Sequence, residues 1–460
     1  MPELLFGQDL ETLDSIEVDV NGRDEEKEEV LLDFEHGPVL NRPDGSFEYY
    51  DWCPNAYASH APMYPGSGKP QIKKSWRDMS STEKQVATIM VAKRNRALRN
   101  RTGIGNPSKE KLAEGAPSKP GTSWKPQEPA AAAAPAAGSP QSTPFSNLPP
   151  PMALLFPGQG SQYVGMLQGL EDKAEVTGML AKANDILGYD LRALCLDGPE
   201  EKLAETRYCQ PAMFVGGLAA AAKLRAERGE VALNPRCVAG LSLGEYTALC
   251  IAGVFSFEDG LRLVKLRGEA MQSAASIGKQ AMLSVVGLER DVVVDLCRKA
   301  TLGMGAEAVC EIANDLFPKG FSCAGHEKCI TRLQDLADKK NALQVKMLKA
   351  SGGFHTELME PAKERLQAAL EEILPRMKPP TCTVYMNVTG EPIEPGCDPQ
   401  IIVHLLTEQL VNPVLWSPSV ERMIADGITE FYECGPQKQI KAMMKRISTD
   451  AWAKTVNVQV

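Results

Sequence analysis

The stretch Arg236-Cys237-Val238-Ala239-Gly240-Leu241-Ser242-Leu243-Gly244 decides the fold class. An apolar run ends at Ala239, two glycines bracket a serine, and a helical pattern follows through Tyr246, Leu249 and Ile251. A serine on a tight strand-to-helix turn projects its hydroxyl away from the backbone. The flanking glycines let strand and helix approach without Cβ clashes, and the helix N-terminus points positive charge at the hydroxyl. A G-x-S-x-G alone arises by chance in roughly one chain in five of this length, so its surroundings carry the argument.

Upstream, Met152-Ala153-Leu154-Leu155-Phe156 is continuously apolar and stops at Pro157-Gly158, the pattern of a strand buried on both faces of a parallel sheet. Further runs at Thr383-Val384-Tyr385-Met386 and Glu430-Phe431-Tyr432 alternate with helical patterns. That rhythm predicts an α/β fold with a hydrolase-like parallel-sheet large subdomain. Between about 281 and 346 the order changes to strand, helix, two strands, helix, strand, which predicts an inserted ferredoxin-like small subdomain.

The 460 residues are 43% hydrophobic and 24% charged, enough chain for two or three folding units. A net charge of -9 argues against non-specific binding to nucleic acid or anionic membrane. The 12 cysteines include no C-x-x-C pair and the five histidines no metal-ligand spacing, so no catalytic metal and no disulfide framework are expected. No stretch reaches the roughly 18 apolar residues of a membrane span. The acidic start, from Glu3 to the run Asp24 to Glu29, does not resemble a transit peptide. The expected setting is soluble and intracellular, cytoplasmic by default, with plastid or mitochondrion as alternatives.

The N-terminal third reads as three parts. Residues 1–68 form an acidic extension, disordered or conditionally folded, because its composition buries too little to offset the entropy of ordering. Residues 69–102 reverse the charge, with Lys73, Lys74, Arg77, Lys93, Arg94, Arg96, Arg99 and Arg101, and a capping box at Ser80-Ser81-Thr82-Glu83 predicts one basic amphipathic helix. Such a helix is either an anchor for an acidic surface or a solvated face packed on its neighbours. Residues 103–150 have Pro/Ala-rich linker composition, and the domain proper spans 151–460.

A serine nucleophile needs a base. His404 lies on the apolar face Ile401-Ile402-Val403-His404-Leu405-Leu406, and His326 in the small subdomain. His355 sits in the glycine turn Ser351-Gly352-Gly353-Phe354-His355-Thr356 just ahead of a helix, the better place for a general base. The turn Phe156-Pro157-Gly158-Gln159-Gly160-Ser161-Gln162 after the first strand offers N–H groups to an oxyanion.

These motifs, taken with Gln210-Pro211-Ala212, Gly240 to Tyr246, Arg267-Gly268-Glu269-Ala270-Met271-Gln272, Phe354-His355-Thr356-Glu357-Leu358-Met359, Gln409-Leu410-Val411-Asn412-Pro413-Val414 and Glu433-Cys434-Gly435-Pro436, resemble malonyl-CoA:acyl carrier protein transacylases. The resemblance covers about 152 to 450 and none of the N-terminal third. It implies that Ser242 carries the acyl group, that His355 is its base, and that the main-chain carbonyl of Gln409 orients the histidine. The N–H groups of Leu243 and Gln159 would form the oxyanion hole, and Arg267 would pair with the malonyl carboxylate beside Gln210. Phe354 resembles the bulky residue that excludes branched acyl groups. Substitution of the Gln409 side chain is accordingly expected to be mild. The implied partners are malonyl-CoA and a holo acyl carrier protein, with no cofactor, no nucleic acid and a monomeric enzyme serving fatty acid biosynthesis. A serine carboxylesterase or thioesterase, an acyltransferase for polyketide synthesis and a non-catalytic carrier-protein scaffold remain as alternatives. The hydrolase requires an acidic partner for the histidine between Ser242 and His355.

Overall fold

The computed structural model describes residues 151–229, 234–349 and 352–460, together with the strand backbones between 11 and 49. In the acidic extension those strands are β1 (Glu11–Val20), β2 (Arg23–Asp33), β3 (Gly37–Asn41) and β4 (Phe47–Tyr49). They form an antiparallel meander in chain order, with Ile16 opposite Glu28 and Leu31 opposite Val39. The expected basic helix and the linker lie outside the described residues.

The strands of the domain proper are β5 (Met152–Phe156), β6 (Cys237–Gly240), β7 (Gln280–Val286), β8 (Cys310–Phe317), β9 (Gly320–His326), β10 (Gln344–Met347), β11 (Thr383–Tyr385), β12 (Pro392–Ile393), β13 (Val414–Leu415), β14 (Glu430–Cys434) and β15 (Thr455–Val458). A six-stranded sheet runs in the order β12-β11-β6-β5-β14-β15, and every neighbouring pair except the edge pair β11–β12 is parallel. The apolar runs read from the sequence are its four central strands. Alternation along β5 explains why the run is unbroken: Met152, Leu154 and Phe156 enter one core, whereas Ala153 and Leu155 enter the core on the opposite face.

A five-stranded sheet has the order β10-β7-β9-β8-β13. Helices Arg290–Thr301 and Glu327–Lys339 pack against it around their own apolar cluster, giving the expected ferredoxin-like order from Gln280 to Met347. Its fifth strand comes from elsewhere: β13 adds parallel to β8, pairing Val414 with Asn314. Five residues before that strand, the helix Pro399–Gln409 ends at Gln409, so the inserted sheet is hydrogen-bonded to a segment that also reaches the serine turn.

Candidate active site

The serine turn is built by two steric exclusions. A Cβ on Gly240 would lie 1.9 Å from the carbonyl carbon of Gly244, and one on Gly244 would lie 2.1 Å from the carbonyl oxygen of Phe156. Only glycine lets β6, the helix Gly244–Ile251 and β5 converge this closely. Ser242 between them takes φ +53°, a left-handed conformation unusual for a residue with a side chain.

Asn387, two residues past the C-terminal end of β11, holds this turn. Its Oδ1 accepts the Ser242 N–H at 2.6 Å, its Nδ2 donates to the Gly240 carbonyl at 2.7 Å, and its own N–H donates to Glu245 Oε1 at 2.6 Å. Neither Asn387 nor Glu245 was assigned a role from sequence. Glu245 lay inside the quoted motif and Asn387 one residue past a quoted strand, but nothing local to either position reveals the contact between them.

His355 is buried at φ +61°, with Nε2 2.8 Å from Ser242 Oγ and Nδ1 2.8 Å from the carbonyl oxygen of Gln409. A carbonyl only accepts, so Nδ1 carries the proton and Nε2 is free to accept from the serine hydroxyl. Burial first, and the charge of Arg267 second, push the imidazole down to about 4, so it is neutral near pH 7. No carboxylate hydrogen-bonds His355 among the described residues, and the acidic partner that a hydrolase triad requires is not there. The other two histidines among the described residues are placed elsewhere: His326 Nδ1 accepts the Val309 N–H, and His404 is half-buried on the helix Pro399–Gln409.

Arg267, on the helix Phe257–Ala275, is only 1% exposed. Its Nη1 donates to Gln210 Oε1 at 2.8 Å, and its Nη2 donates to Gln409 Oε1 at 2.8 Å and to Ser242 Oγ at 3.1 Å. All three acceptors are uncharged, and among the described residues no salt bridge to Arg267 is present. This rules out a surface ion pair with Glu269. The Gln409 side chain does more than the sequence suggested, since its Nε2 also donates to the Ser242 carbonyl at 2.9 Å and to Glu245 Oε2.

The remaining expected residues line the same place. Gln159 Nε2 bonds Thr206 Oγ1 at 3.2 Å beside the arginine-bearing helix, where Gly268 faces the Thr206 carbonyl. The N–H groups of Gln159 and Leu243 have no acceptor among the hydrogen bonds of the described residues. Phe354 is 7% exposed and belongs to the main apolar core next to His355. The structure thus brings together Ser242, His355, Gln409, Arg267 and Gln210, with Gln159, Leu243 and Phe354 at their edge.

An activated serine, a base oriented by a carbonyl, and a buried cation with no salt bridge among the described residues are the parts of an acyl-transfer site. The acyl transferase domain model matches residues 153–458. The human mitochondrial malonyl-CoA-acyl carrier protein transacylase is 41% identical over 315 residues, covering 67% of this chain and 80% of that protein. The chain belongs to the malonyl-CoA-acyl carrier protein transacylase family. Its counterpart from Haemophilus influenzae is 37% identical, covering 66% of this chain and 95% of the relative. A solved complex of a type II PKS acyl-carrier protein with its malonyl-transacylase matches at 34% identity and a TM-score of 0.61, over 66% of this chain and 94% of that one. The transacylase match begins at β5, so the acidic extension lies outside it. Among the described residues no helix is long and apolar enough to cross a membrane.

Proposed function

We propose that the protein transfers a malonyl group from coenzyme A to the phosphopantetheine thiol of an acyl carrier protein in fatty acid synthesis, through an ester on Ser242. One observation carries the reading: a guanidinium buried among uncharged acceptors, 3.1 Å from the nucleophilic oxygen. A buried cation gains most from an anionic partner, and the planar fork of arginine can hold both carboxylate oxygens. A simple ester gives it none.

In the first half-reaction the Ser242 proton passes to His355 Nε2 while Oγ bonds to the thioester carbon, and the carbonyl π pair moves to its oxygen. The N–H groups of Leu243 and Gln159 stabilise that oxyanion. Collapse of the intermediate breaks the carbon–sulfur bond, and the departing sulfur takes the proton from His355. The second half-reaction runs in reverse order: the carrier thiol gives its proton to His355, its sulfur attacks the ester, and Ser242 Oγ leaves with that proton. No cofactor is required, and one chain supplies every group, which supports a monomeric enzyme. The human and mouse relatives are named as mitochondrial, which supports an organellar setting that imaging of the tagged full chain tests.

Steady-state assay of Arg267→Ala tests the reading. Malonyl transfer should fall steeply while residual activity on uncharged thioesters persists. Equal loss on both classes would remove the carboxylate role.

A further inference from the structure

Gln409 donates through its amide nitrogen to the Ser242 carbonyl and to Glu245, which leaves its amide oxygen facing Arg267. An amide can flip and present its nitrogen instead, so something must select this orientation. Glu245 does so. It is fully buried, its Oε1 is occupied by the Asn387 N–H, and its Oε2 is the one remaining acceptor for Gln409 Nε2. Burial raises its carboxyl well above the ordinary range, against the two donated hydrogen bonds and the charge of Arg267. Both carboxyl oxygens accept, Oε1 from the Asn387 N–H and Oε2 from the Gln409 amide.

We infer that Glu245 is a positioning residue that, acting through the Gln409 amide, aims Arg267 at the acyl pocket and so sets the preference for carboxylate-bearing acyl groups over uncharged ones. The inference rests on the proposed pairing of Arg267 with the malonyl carboxylate. Replacing the carboxylate by an amide puts an N–H2 against either the Asn387 N–H or Gln409 Nε2. The second clash is relieved by flipping Gln409, which turns its own N–H2 toward the guanidinium and repels it. Arg267 then loses an anchor and leaves its line to the serine.

The experiment measures kcat/KM for malonyl-CoA and for acetyl-CoA with the full chain, Glu245→Gln, Arg267→Ala and the double variant, with Tm recorded for each. A merely structural role would depress both substrates together. The inference predicts that Glu245→Gln lowers the malonyl-to-acetyl ratio by roughly tenfold or more, as for loss of a charge-assisted contact. It also predicts that adding this change to Arg267→Ala lowers the ratio no further. If Arg267→Ala itself leaves the ratio unchanged, the underlying reading of the arginine fails. If Arg267→Ala collapses the ratio while Glu245→Gln preserves it, the role of Glu245 is overturned. Should Glu245→Gln fail to fold, Glu245→Asp keeps both acceptors but withdraws them, and the same ratio must fall for the inference to stand.

Discussion

The side-chain oxygen of Asn387 accepts the backbone N–H of Ser242 at 2.6 Å, across 145 residues of sequence. Through its second bond, to the Gly240 carbonyl, one side chain ties both ends of the strained serine turn to β11. Asn387→Ala removes both contacts and leaves a buried N–H and a buried carbonyl without partners, at a cost of about 2–4 kcal/mol. The expected outcome is a lower denaturation midpoint and slower acylation, read by chemical unfolding and rapid-quench assay.

Steric closure of the turn predicts a different signature for Gly240→Ala. Its Cβ would meet backbone atoms, which cannot give way as a side chain can. Destabilisation of about 3 kcal/mol or more is expected, as for overpacking that shifts main chain. A Tm within a degree of wild type would contradict the turn geometry.

The depressed imidazole gives a pH prediction. His355 is lowered from the usual 6.5 to about 4 by burial and by Arg267, so the free enzyme keeps its base neutral down to that range. The acidic limb of kcat/KM, which reports the free enzyme, should therefore lie well below pH 6. Binding of a malonyl carboxylate offsets the arginine charge and raises the imidazole, so the limb of kcat should lie at higher pH than that of kcat/KM. The sign of the difference is the test.

Lys363 and Glu408 form a buried pair at 2.9 Å joining the helix that follows His355 to the helix that ends at Gln409. Lys363→Met leaves Glu408 buried without that cation, at a cost of about 3–5 kcal/mol. Unfolding should register it, and Lys363→Arg should recover most of the loss.

Phe354 lies in the apolar core beside the base, and the proposed function makes it the wall that a branched acyl group would meet. Phe354→Ala should relax discrimination between malonyl- and methylmalonyl-CoA by roughly 1–3 kcal/mol, the worth of one methyl group in an apolar site. Competition between the two thioesters measures it.

How far the sequence discloses this site depends on whether a residue's reason is local. The glycines around Ser242 and the unbroken apolar run of β5 answer to short-range constraints, a close approach and burial on both faces, and both are legible from neighbours alone. His355 stands out for the same reason, in a glycine turn ahead of a helix. Asn387 and the Gln409 side chain answer to partners 145 and 167 residues away, which no spacing reveals. For Gln409 this reverses an expectation: with three side-chain hydrogen bonds, to Ser242, Glu245 and Arg267, its replacement should not be mild.

The central claim is a covalent malonyl ester on Ser242, and intact mass after brief exposure to malonyl-CoA, with Ser242→Ala alongside, addresses it most directly. A malonyl adduct on the wild-type chain alone is the predicted result. Free malonate accumulating without an adduct, or an adduct that survives in Ser242→Ala, would contradict it.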